Sequence, residues 1–479
     1  MKETRFSVFP ACVAFGALLC QVFLAPALSL ASNCGALAAN TVRNLNSLSQ
    51  TTTLPRPNCT PPKPSPEERI HNLIQEAICA KNIEPTAEVV IGDAEGVWMD
   101  YRSRPKDRRL FDMASITKPV ATAASIMKLV DDGKLKLSDR LGAFFTKHGI
   151  KGFENSQITI SDLLRHRSGL DEIDAKLLKS ALPSLPGDPK HSRNEIARSG
   201  LEKLGAKSSP LPRKTPLYRD SNYFVLGEIV RFASGMPLQE YATTHVFKPA
   251  GMTSTRFAKN SREVADPLAK ALHGQSGHSG LFSNGQDMAK FAQMILNDGK
   301  TLEGAMVLSS RQVQEMTTSL PSDERRRFID AEKMGGIEKA RTEMHAGGFD
   351  MNPSILRGAG CSLKSFGHAG STGTSILIDP EKKVYVVLLS QTLRDGAPSR
   401  MNALRKAIAT EGMALVEARK AAQACAQTEA QTHAAKDPVK RVNSFTQWIS
   451  ETFEASGEAS GEKSGKASDK APESSRAGH

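Results

Sequence analysis

The sequence predicts a mixed α/β fold of the α+β type, in which one antiparallel sheet comes from both chain ends and is flanked by helices. Three observations support this prediction. Residues 88–101 have the pattern of an early β-hairpin, residues 373–389 that of a late one, and the section from roughly 133 to 345 is mainly helical in pattern. Strands that come early and late indicate a sheet with a helical lobe inserted between its parts. A catalytic cleft is expected where sheet and lobe meet.

The first elements are predicted from the spacing of apolar residues. A helix is expected from Ser65 to about Ala80, because apolar residues recur between them every three or four positions. The early hairpin follows, with its turn near Glu95 and Gly96 between two runs rich in Val, Ile and Trp. The late hairpin is predicted in the same way, from β-branched and apolar runs on either side of a charged turn.

A helix that begins near Ser115 lies between the two hairpins. Apolar residues continue at helical spacing from Val120 to Val130, and Asp131–Gly133 predicts the helix end. Pro119 is tolerated in a first turn, where backbone N–H groups have no intrahelical partner. Ser115 and Lys118 are three positions apart and therefore lie on one face, where they can share a hydrogen-bonded site. The helix N-terminus favours developing negative charge, which suits a nucleophile. The alternative is a capping serine followed by a solvated lysine.

The folded domain is predicted to span residues 66–430. A helix from Arg400 to about Ala426 closes it. Residues 32–65 are rich in Thr, Asn, Ser and Pro and predict a flexible leader. Residues 431–479 predict a disordered tail, since the chain from about Glu451 onward is a Ser, Gly, Glu, Lys and Ala mixture without apolar periodicity.

Residues 1–31 have the pattern of a secretory signal peptide. Lys2 and Arg5 precede an apolar run from Phe6 to Leu30, and small residues stand where a signal peptidase cleaves. The alternative is an uncleaved membrane anchor, because the run is nearly long enough to span a bilayer. Proline and glycine residues interrupt the run and favour cleavage. We therefore expect an exported protein, periplasmic or extracellular, with no stable membrane insertion after signal cleavage.

The charge distribution argues against nucleic acid as a partner. Lysine and arginine number 63 against 51 aspartate and glutamate residues, a net charge of +12, but the basic residues are spread along the chain. With only 5 tyrosines and 2 tryptophans, basic and aromatic residues are not interleaved in a binding pattern. The charge supports at most a mild attraction to anionic surfaces such as a cell envelope.

The cysteine pattern favours neither a metal site nor a cofactor site. Signal cleavage would leave five of the 7 cysteines, an odd number, so at least one thiol is unpaired or pairs between molecules. The sequence has no CxxC pair and no His/Cys cluster with metal-ligand spacing. An oxidising compartment permits disulfides, whose connectivity stays open.

Further polar motifs follow the Ser115 segment in order. They lie at Ile158–Leu170, Tyr218–Gly227, Gly277–Ser283 and Phe366–Thr374. Together with Ser115-x-x-Lys118, this ordered set resembles the β-lactamase-related serine hydrolases, over roughly residues 66–415. That superfamily holds class C β-lactamases, penicillin-binding proteins, D-amino-acid peptidases and carboxylesterases. The resemblance implies a β-lactamase/transpeptidase-like fold.

The resemblance also implies catalytic roles. Ser115 would attack a carbonyl and form an acyl-enzyme, which divides one difficult step into two easier ones. Lys118, desolvated between the lobes, is expected to have a lowered pKa and to accept or relay the serine proton. Tyr218 would complete the relay, and which of the two is the general base stays open. A core tyrosine is the alternative interpretation of Tyr218.

The remaining implied roles concern the oxyanion and the substrate. The backbone N–H groups of Ser115 and Ser371 would form the oxyanion hole, with Gly370 keeping the strand edge clear. His368 stands where β-lactamases and many peptidases carry lysine, and an ordinary imidazole is mostly neutral at pH 7. Strong recognition of a substrate carboxylate is therefore less expected than in relatives that carry lysine there, and neutral esters are compatible with this position. Asp220 replaces a neutral amide; close to Lys118 it would raise the lysine pKa and shift the base role to Tyr218.

Other polar residues in these segments are interpreted as structural. His166 and Arg167 are expected to hold a turn, His278 to be structural, and Asp266 to be a turn residue rather than a ligand. Cys361 is placed at the rim of the cleft by its closeness in sequence to His368.

Two versions of the activity stay open: a peptidase that trims cell-wall peptides, and a carboxylesterase that acts on small acyl esters. The glycine-rich Gly277–Gly280 segment and the export signal favour the peptidase. The expected partner is a small-molecule or peptide substrate, including peptidoglycan. A hypothesis of another class is a non-catalytic binding protein for cell-wall peptides, and a further one is an anchored scaffold with an uncleaved N-terminus. Intact Ser115, Lys118 and Tyr218 argue against mere binding.

Overall fold

A computed structural model describes residues 64–173, 178, 192–213, 216–317, 345–351, 353–393 and 398–436. The predicted signal peptide, nearly all of the predicted leader and the chain beyond Lys436 lie outside these residues. The chain divides into two units: residues 62–418, and residues 1–61 together with 419–479. Of the second unit the described residues are 419–436, the end of a helix. Everything described below belongs to the first unit unless stated.

Within the described ranges, six strands pair into one antiparallel sheet, in the order β2-β1-β9-β8-β7-β6. These strands are β1 (Glu88–Asp93), β2 (Val97–Arg102), β6 (Asp350–Met351), β7 (Phe366–Ala369), β8 (Ser375–Asp379) and β9 (Val384–Leu389). The early and late hairpins meet directly, since β1 pairs with β9 and Val90 stands opposite Val387. The prediction of one sheet from both chain ends is confirmed.

Helices cover this sheet and form the inserted lobe. They are α1 (Pro66–Cys79), α2 (Ala124–Asp131), α3 (Leu141–Lys147), α4 (Ile160–Leu164), α5 (Arg193–Lys207), α6 (Asp220–Ser234), α7 (Leu238–Ala242), α8 (Pro267–Ala271), α9 (Gly285–Leu296), α10 (Ser310–Thr317) and α11 (Pro398–Lys436). None of the helices in the described ranges is both long and apolar enough to cross a membrane.

The sequence predicts the ends of the first helix, α1, better than those of the last helix, α11. Helix α1 begins after Ser65, whose side chain and that of Glu68 form a reciprocal capping box. Its predicted bounds are confirmed. Helix α11 begins at Pro398 and ends at Lys436, beyond the predicted end near Ala426, so it includes residues 431–436 that the sequence assigned to the tail. Alanine and glutamine dominate this stretch, and both have high helix propensity.

Both faces of the strands β1, β8 and β9 are buried, which explains the unbroken apolar run of β9. Val90 and Val387 point into a large cluster with the helical lobe. Val89 and Val386, their neighbours along the strands, point to the other face, into a second cluster with α1 and α11. A strand covered on both faces gains nothing from alternating polar residues. Each such side chain contributes about 1.5–3 kcal/mol relative to exposure in water.

A second, three-stranded sheet joins the segment before Ser115 to two strands of the helical lobe, and it was not predicted. It has the order β3-β5-β4, with β3 (Phe111–Asp112), β4 (Arg256–Phe257) and β5 (Leu281–Ser283). Strands of two or three residues are too short to show an alternating pattern. This sheet holds the chain that leads into Ser115 beside the Gly277–Ser283 segment, since Met113 N–H donates to Leu281 C=O at 2.9 Å.

Candidate active site

The chain makes a tight turn immediately before Ser115. Ala114 has a left-handed φ of +46°, which is unfavourable for a residue with a Cβ, and Asp112 Oδ1 holds it by accepting the Ala114 N–H at 2.9 Å. A 3₁₀ turn at Ala114–Ile116 follows, then a π-helical segment at Lys118–Ala123, and only then α2. The predicted helix end at Asp131 is confirmed, but its start is not a regular α-helix. Pro119 has no N–H to donate, which favours a wider turn there.

Ser115 and Lys118 share one site, as their spacing predicts. Lys118 Nζ donates to Ser115 Oγ at 2.9 Å and to the carbonyl oxygen of His278 at 3.2 Å. The Lys118 side chain has no exposed surface, and its ammonium forms an ion pair with Asp220 Oδ1 at 2.7 Å. A buried charge is tolerated only when it is paired and hydrogen-bonded, as this one is.

Tyr218 completes the group around the serine. Its ring centroid lies 4.9 Å from Lys118 Nζ, and its hydroxyl is near enough to Lys118 and Ser115 for both to act on its pKa. The residue is 39% exposed, with its hydroxyl turned inward, so the core-tyrosine alternative is wrong. His166 stacks on the ring with centroids 4.4 Å apart. The Arg219 N–H donates one hydrogen bond to His166 Nδ1 at 3.2 Å, which helps to fix the orientation of this ring.

The protonation state of Lys118 differs from the one that the sequence predicts. Burial by itself lowers the pKa of Lys118, but the negative charges that Tyr218 and Asp220 can carry outweigh it, and the pKa is raised. The expected lowering is therefore wrong, whereas the effect expected of a nearby Asp220 is confirmed. Burial also raises the pKa of Tyr218, against the opposing influence of the Lys118 ammonium. At neutral pH the resting site holds an ammonium and a neutral phenol.

A polar cluster of Asp266, Ser276 and His278 lies next to Asp220. His278 is buried; its Nε2 lies 2.9 Å from Asp266 Oδ1 and its Nδ1 lies 2.7 Å from Ser276 Oγ. Asp266 is also the N-cap of α8, accepting the Ala269 N–H at 2.6 Å, which confirms its role in a turn. Although burial opposes it, the hydrogen bond from His278 lowers the pKa of Asp266 to about 2.

Three side chains of this cluster are close enough to hold a cation. Ligand atoms of Asp220, Asp266 and His278 all lie within 4.8 Å of one another. The Lys118 ammonium already occupies the position next to Asp220, and the Asp266 oxygen already accepts two hydrogen bonds. The oxygens of the two carboxylates are thus already engaged, that of Asp220 by the Lys118 ammonium and that of Asp266 by hydrogen bonds.

The turn after β7, which contains Ser371, lies against the chain that leads into Ser115, because Thr372 and Thr374 donate to the Asp112 and Met113 carbonyl oxygens. Gly370 N–H donates to Thr374 C=O at 2.8 Å, and Gly373 N–H donates to Gly370 C=O at 3.1 Å, which closes the turn. A Cβ on Gly370 would lie 2.2 Å from Thr374 Oγ1 and 2.7 Å from the Met113 carbonyl oxygen. Only glycine fits there, in agreement with the expectation that Gly370 keeps this edge clear. Ser371 is exposed at the surface of the turn.

His368 lies buried on β7, with its ring centroid 6.1 Å from that of Tyr218. Its Nδ1 lies 3.0 Å from the Ala369 carbonyl oxygen. Burial lowers the pKa of His368, and the nearby Asp350 carboxylate only partly opposes this. The imidazole is thus neutral at pH 7, as the sequence predicts.

His345 and Asp350 also belong to the site, and sequence reasoning missed them. His345 Nδ1 lies 2.7 Å from Asp350 Oδ1, and its ring centroid lies 4.8 Å from that of His166. With Tyr218 and His368 they line a cleft of about 530 Å³. Its other walls are mostly apolar: Pro216, Leu217, Met351, Pro353, Ser354, Ile355 and Ala369. The sequence signal that could have identified these two residues is a His and an Asp on either side of the pair Gly347-Gly348.

Cys361 is not at the rim of this cleft. It packs with the cluster of apolar side chains on the α1 and α11 face of the sheet. Burial raises the pKa of its thiol to about 11, so the thiol is protonated and unreactive at neutral pH. Closeness in sequence to His368 was misleading, because the chain crosses to the other face of the sheet in between.

Comparisons with known proteins agree with this architecture. A curated Escherichia coli K12 protein described as "Putative D-alanyl-D-alanine carboxypeptidase" is 28% identical over 346 residues, covering 61% of this chain and 71% of the relative. The hydrolase EstCE1 superposes with a TM-score of 0.55 at 19% identity, covering 72% and 98% of the two chains. A penicillin-binding protein homologue from Pyrococcus abyssi gives a TM-score of 0.51 at 22% identity, covering 71% and 76%.

The two superpositions, at low identity, establish the fold alone. The family assignment comes from the sequence itself, because the model of one family, described as Beta-lactamase, matches residues 72–411. That range begins inside α1, ends inside α11 and includes Ser115, Lys118, Tyr218 and the Ser371 turn. This chain belongs to the beta-lactamase family and is a serine hydrolase.

Proposed function

We propose that this protein is an exported serine hydrolase that forms an acyl-enzyme at Ser115 on D-amino-acid-containing peptides or carboxylic esters. One observation carries the proposal: Ser115 Oγ accepts a hydrogen bond from the buried Lys118 ammonium at 2.9 Å, beside the Tyr218 hydroxyl. A serine bonded to a buried cation and a phenol is far from the solvated serine of the alternative interpretation. Nucleophile and proton-transfer group within reach of each other are what covalent catalysis needs.

Tyr218 is the proposed general base. Lys118 is held in its ammonium form by Asp220 and has no free electron pair to accept a proton. The ionised fraction of Tyr218 takes the Ser115 proton while Oγ bonds to the substrate carbonyl carbon. The Lys118 ammonium stabilises that phenolate. As the bond to the leaving group breaks, Tyr218 gives this proton to the departing nitrogen or oxygen.

Deacylation repeats the sequence with water. Tyr218 removes a proton from a water molecule while the water oxygen attacks the acyl carbon. The bond between the acyl carbon and Ser115 Oγ then breaks, and the proton passes from Tyr218 to Oγ. Both tetrahedral intermediates carry a negative oxygen. The backbone N–H groups of Ser115 and Ser371 are the proposed donors to it, at the start of the 3₁₀ turn and on the glycine-flanked turn.

Two observations favour different substrates. The curated relatives described as carboxypeptidases favour a D-amino-acid-containing peptide, and export would bring the enzyme to peptidoglycan. The neutral, buried His368 favours a carboxylic ester, because a permanent cation for a substrate carboxylate is missing from that position. We give the peptidase first place because the relatives match over most of the folded chain.

The experiment compares labelling by a fluorescent penicillin with turnover of p-nitrophenyl esters, in the wild type and in Ser115→Ala. Penicillin labelling that disappears in Ser115→Ala supports the peptidase. Rapid ester turnover without labelling rejects the peptidase and supports the esterase. Neither signal, with no fluorophosphonate adduct on Ser115, rejects hydrolysis and favours the binding protein. Sequencing the mature N-terminus of protein recovered from the extracytoplasmic fraction tests export, with Ser32 expected first.

A further inference from the structure

A buried arginine lies directly behind the Ser371 turn. Arg405, on α11, is only 7% exposed and is not among the residues that line the cleft. Its Nη2 donates to the carbonyl oxygens of Gly370 at 2.7 Å and Thr374 at 3.1 Å, and its Nη1 donates to Asn402 Oδ1 at 3.0 Å. Burial lowers the pKa of Arg405 to about 10, which leaves it charged at neutral pH.

This cation has no partner of opposite charge among the described residues. A buried guanidinium held only by neutral oxygens is costly, because carbonyl dipoles replace water less well than a carboxylate does. Its contacts are not needed to satisfy the turn. Gly370 C=O already accepts the Gly373 N–H, and Thr374 C=O already accepts the Gly370 N–H. The contacts of Arg405 therefore have a role other than to provide these carbonyl oxygens with a hydrogen-bond donor.

This role follows from the geometry of the peptide unit between Gly370 and Ser371. The carbonyl of Gly370 and the N–H of Ser371 belong to the same trans peptide unit, so they point in opposite directions in one plane. The guanidinium that grips the carbonyl oxygen at 2.7 Å therefore fixes the direction in which the Ser371 N–H points, away from Arg405. A cation bonded to the carbonyl also polarises the unit and strengthens the N–H as a donor.

A second set of bonds ties the same turn to the nucleophile. Thr372 Oγ1 donates to the Asp112 carbonyl at 2.7 Å, and Thr374 Oγ1 donates to the Met113 carbonyl at 3.3 Å. Asp112 and Met113 lead directly into the strained turn at Ala114 and Ser115. The two N–H groups proposed for the oxyanion hole are thus held at a fixed separation, one by threonine bonds and the other also by Arg405.

We propose that Arg405 is a positioning residue, which aims and polarises the Ser371 N–H for the oxyanion through its bond to the Gly370 carbonyl. This inference rests on the proposed function, in which Ser371 contributes to the oxyanion hole. Arg405 contacts the turn from α11 and takes no part in substrate binding. Its removal must therefore slow the chemical steps and leave substrate affinity nearly unchanged.

The experiment measures kcat and KM for a p-nitrophenyl ester in the wild type, Arg405→Met and Arg405→Lys. Loss of one oxyanion donor costs about 10²–10³ in kcat, and misalignment of one donor is expected to cost at least about tenfold, with KM within about threefold. Lys406→Met is the matched control, since Lys406 is the next residue on the same helix but exposed. It is expected to keep the wild-type kcat.

A spectroscopic measurement separates positioning from general loss of structure. The carbonyl stretch of an acyl-enzyme made with a ¹³C-carbonyl ester reports how strongly the oxyanion donors polarise the carbonyl. We expect this band at higher wavenumber in Arg405→Met than in the wild type. A wild-type kcat and an unshifted band in folded Arg405→Met overturn the inference.

The remaining outcomes also decide. Where Arg405→Met fails to fold, Arg405→Lys carries the test: one ammonium lacks the planar fork that contacts both carbonyls, so a slower kcat and a shifted band are expected. Wild-type values in Arg405→Lys overturn the inference. A wild type that forms no acyl-enzyme at Ser115 overturns the proposed function, and the inference with it. Failure of the inference alone appears as an active wild type with equally active variants.

Discussion

The Asp220 carboxylate lies 2.7 Å from the ammonium of Lys118, which at the same time donates to Ser115 Oγ. Against the lowering effect of burial, Tyr218 and this carboxylate together raise the pKa of Lys118. In the proposed mechanism, a lysine bound in this way orients the serine and stabilises negative charge but does not remove a proton. The proposed base is therefore Tyr218, whose own pKa is raised by burial.

The pH dependence of kcat/KM follows from these two pKa values. Activity is expected to rise with pH as the fraction of ionised Tyr218 grows, because the raised pKa keeps the phenol neutral at pH 7. It is expected to fall again where Lys118 loses its proton, above the usual lysine value because that pKa is raised. The pH–rate profile should therefore peak in the alkaline range. A plateau that begins below pH 7 would contradict Tyr218 as the base.

Asp220→Asn tests the ion pair directly. Loss of the carboxylate lowers the pKa of Lys118, because burial then acts on it with one negative neighbour fewer. The alkaline limb of the kcat/KM profile should move to lower pH, while the fold persists, since an asparagine still fits at the start of α6. An unchanged profile in this variant would show that Asp220 does not control the protonation of Lys118.

Tyr218→Phe removes the proposed base and keeps the ring that stacks on His166. A decrease of about 10²–10⁴ in kcat is expected, the usual contribution of general acid–base catalysis. Tyr241→Phe is the control, because Tyr241 is a core tyrosine whose hydroxyl lies 3.5 Å from Asp132 Oδ2, at the C-terminal end of α2. Equal activity of the two variants would remove Tyr218 from the mechanism.

His368→Lys places a permanent cation where the wild type has a neutral imidazole. Acylation by penicillin, which carries a carboxylate, should accelerate by about tenfold, the effect of one charge-assisted hydrogen bond. Turnover of neutral p-nitrophenyl esters should not gain. The ratio of the two rate constants is the measurement, and an unchanged ratio would mean that His368 does not face the substrate carboxylate.

Gly277→Ala tests the packing beneath Lys118. A Cβ on Gly277 would lie 2.0 Å from the Tyr223 carbonyl oxygen and 2.9 Å from the Gly227 backbone nitrogen, both fixed in α6. A loss of about 1–3 kcal/mol in the free energy of unfolding is expected from such overpacking. Gly96→Ala is the control, with nothing within 4 Å of the added Cβ. Denaturant unfolding that gives equal stabilities for both variants would contradict the close packing of this segment.

Much of the fold could be predicted because it depends on local patterns. The capping box at Ser65 and the apolar runs of β1 and β9 determine their elements from a few neighbouring residues. Ser115, Lys118, Tyr218 and Asp220 could be placed together because their motifs carry chemistry in the sequence. The start of the Ser115 helix was wrong in detail, since Pro119 and the strained Ala114 change the local geometry.

The rest of the site depends on tertiary packing. His345 and Asp350 stand in a stretch without periodic pattern and reach the cleft only through pairing with β7. Arg405 has the spacing of an ordinary helix residue, and only the packing of α11 behind the Gly370 turn gives it a special position. The direction of the Lys118 pKa shift likewise depends on how close Tyr218 and Asp220 lie to its ammonium, which no sequence spacing fixes.

Intact-mass spectrometry of the protein during turnover of a p-nitrophenyl ester, followed by peptide mapping, tests directly whether an acyl-enzyme forms at Ser115. A mass increase equal to the acyl group is expected on the peptide that contains Ser115 and is expected to be absent in Ser115→Ala. An active wild type without this adduct, or an adduct that persists in Ser115→Ala, would show that Ser115 is not the nucleophile.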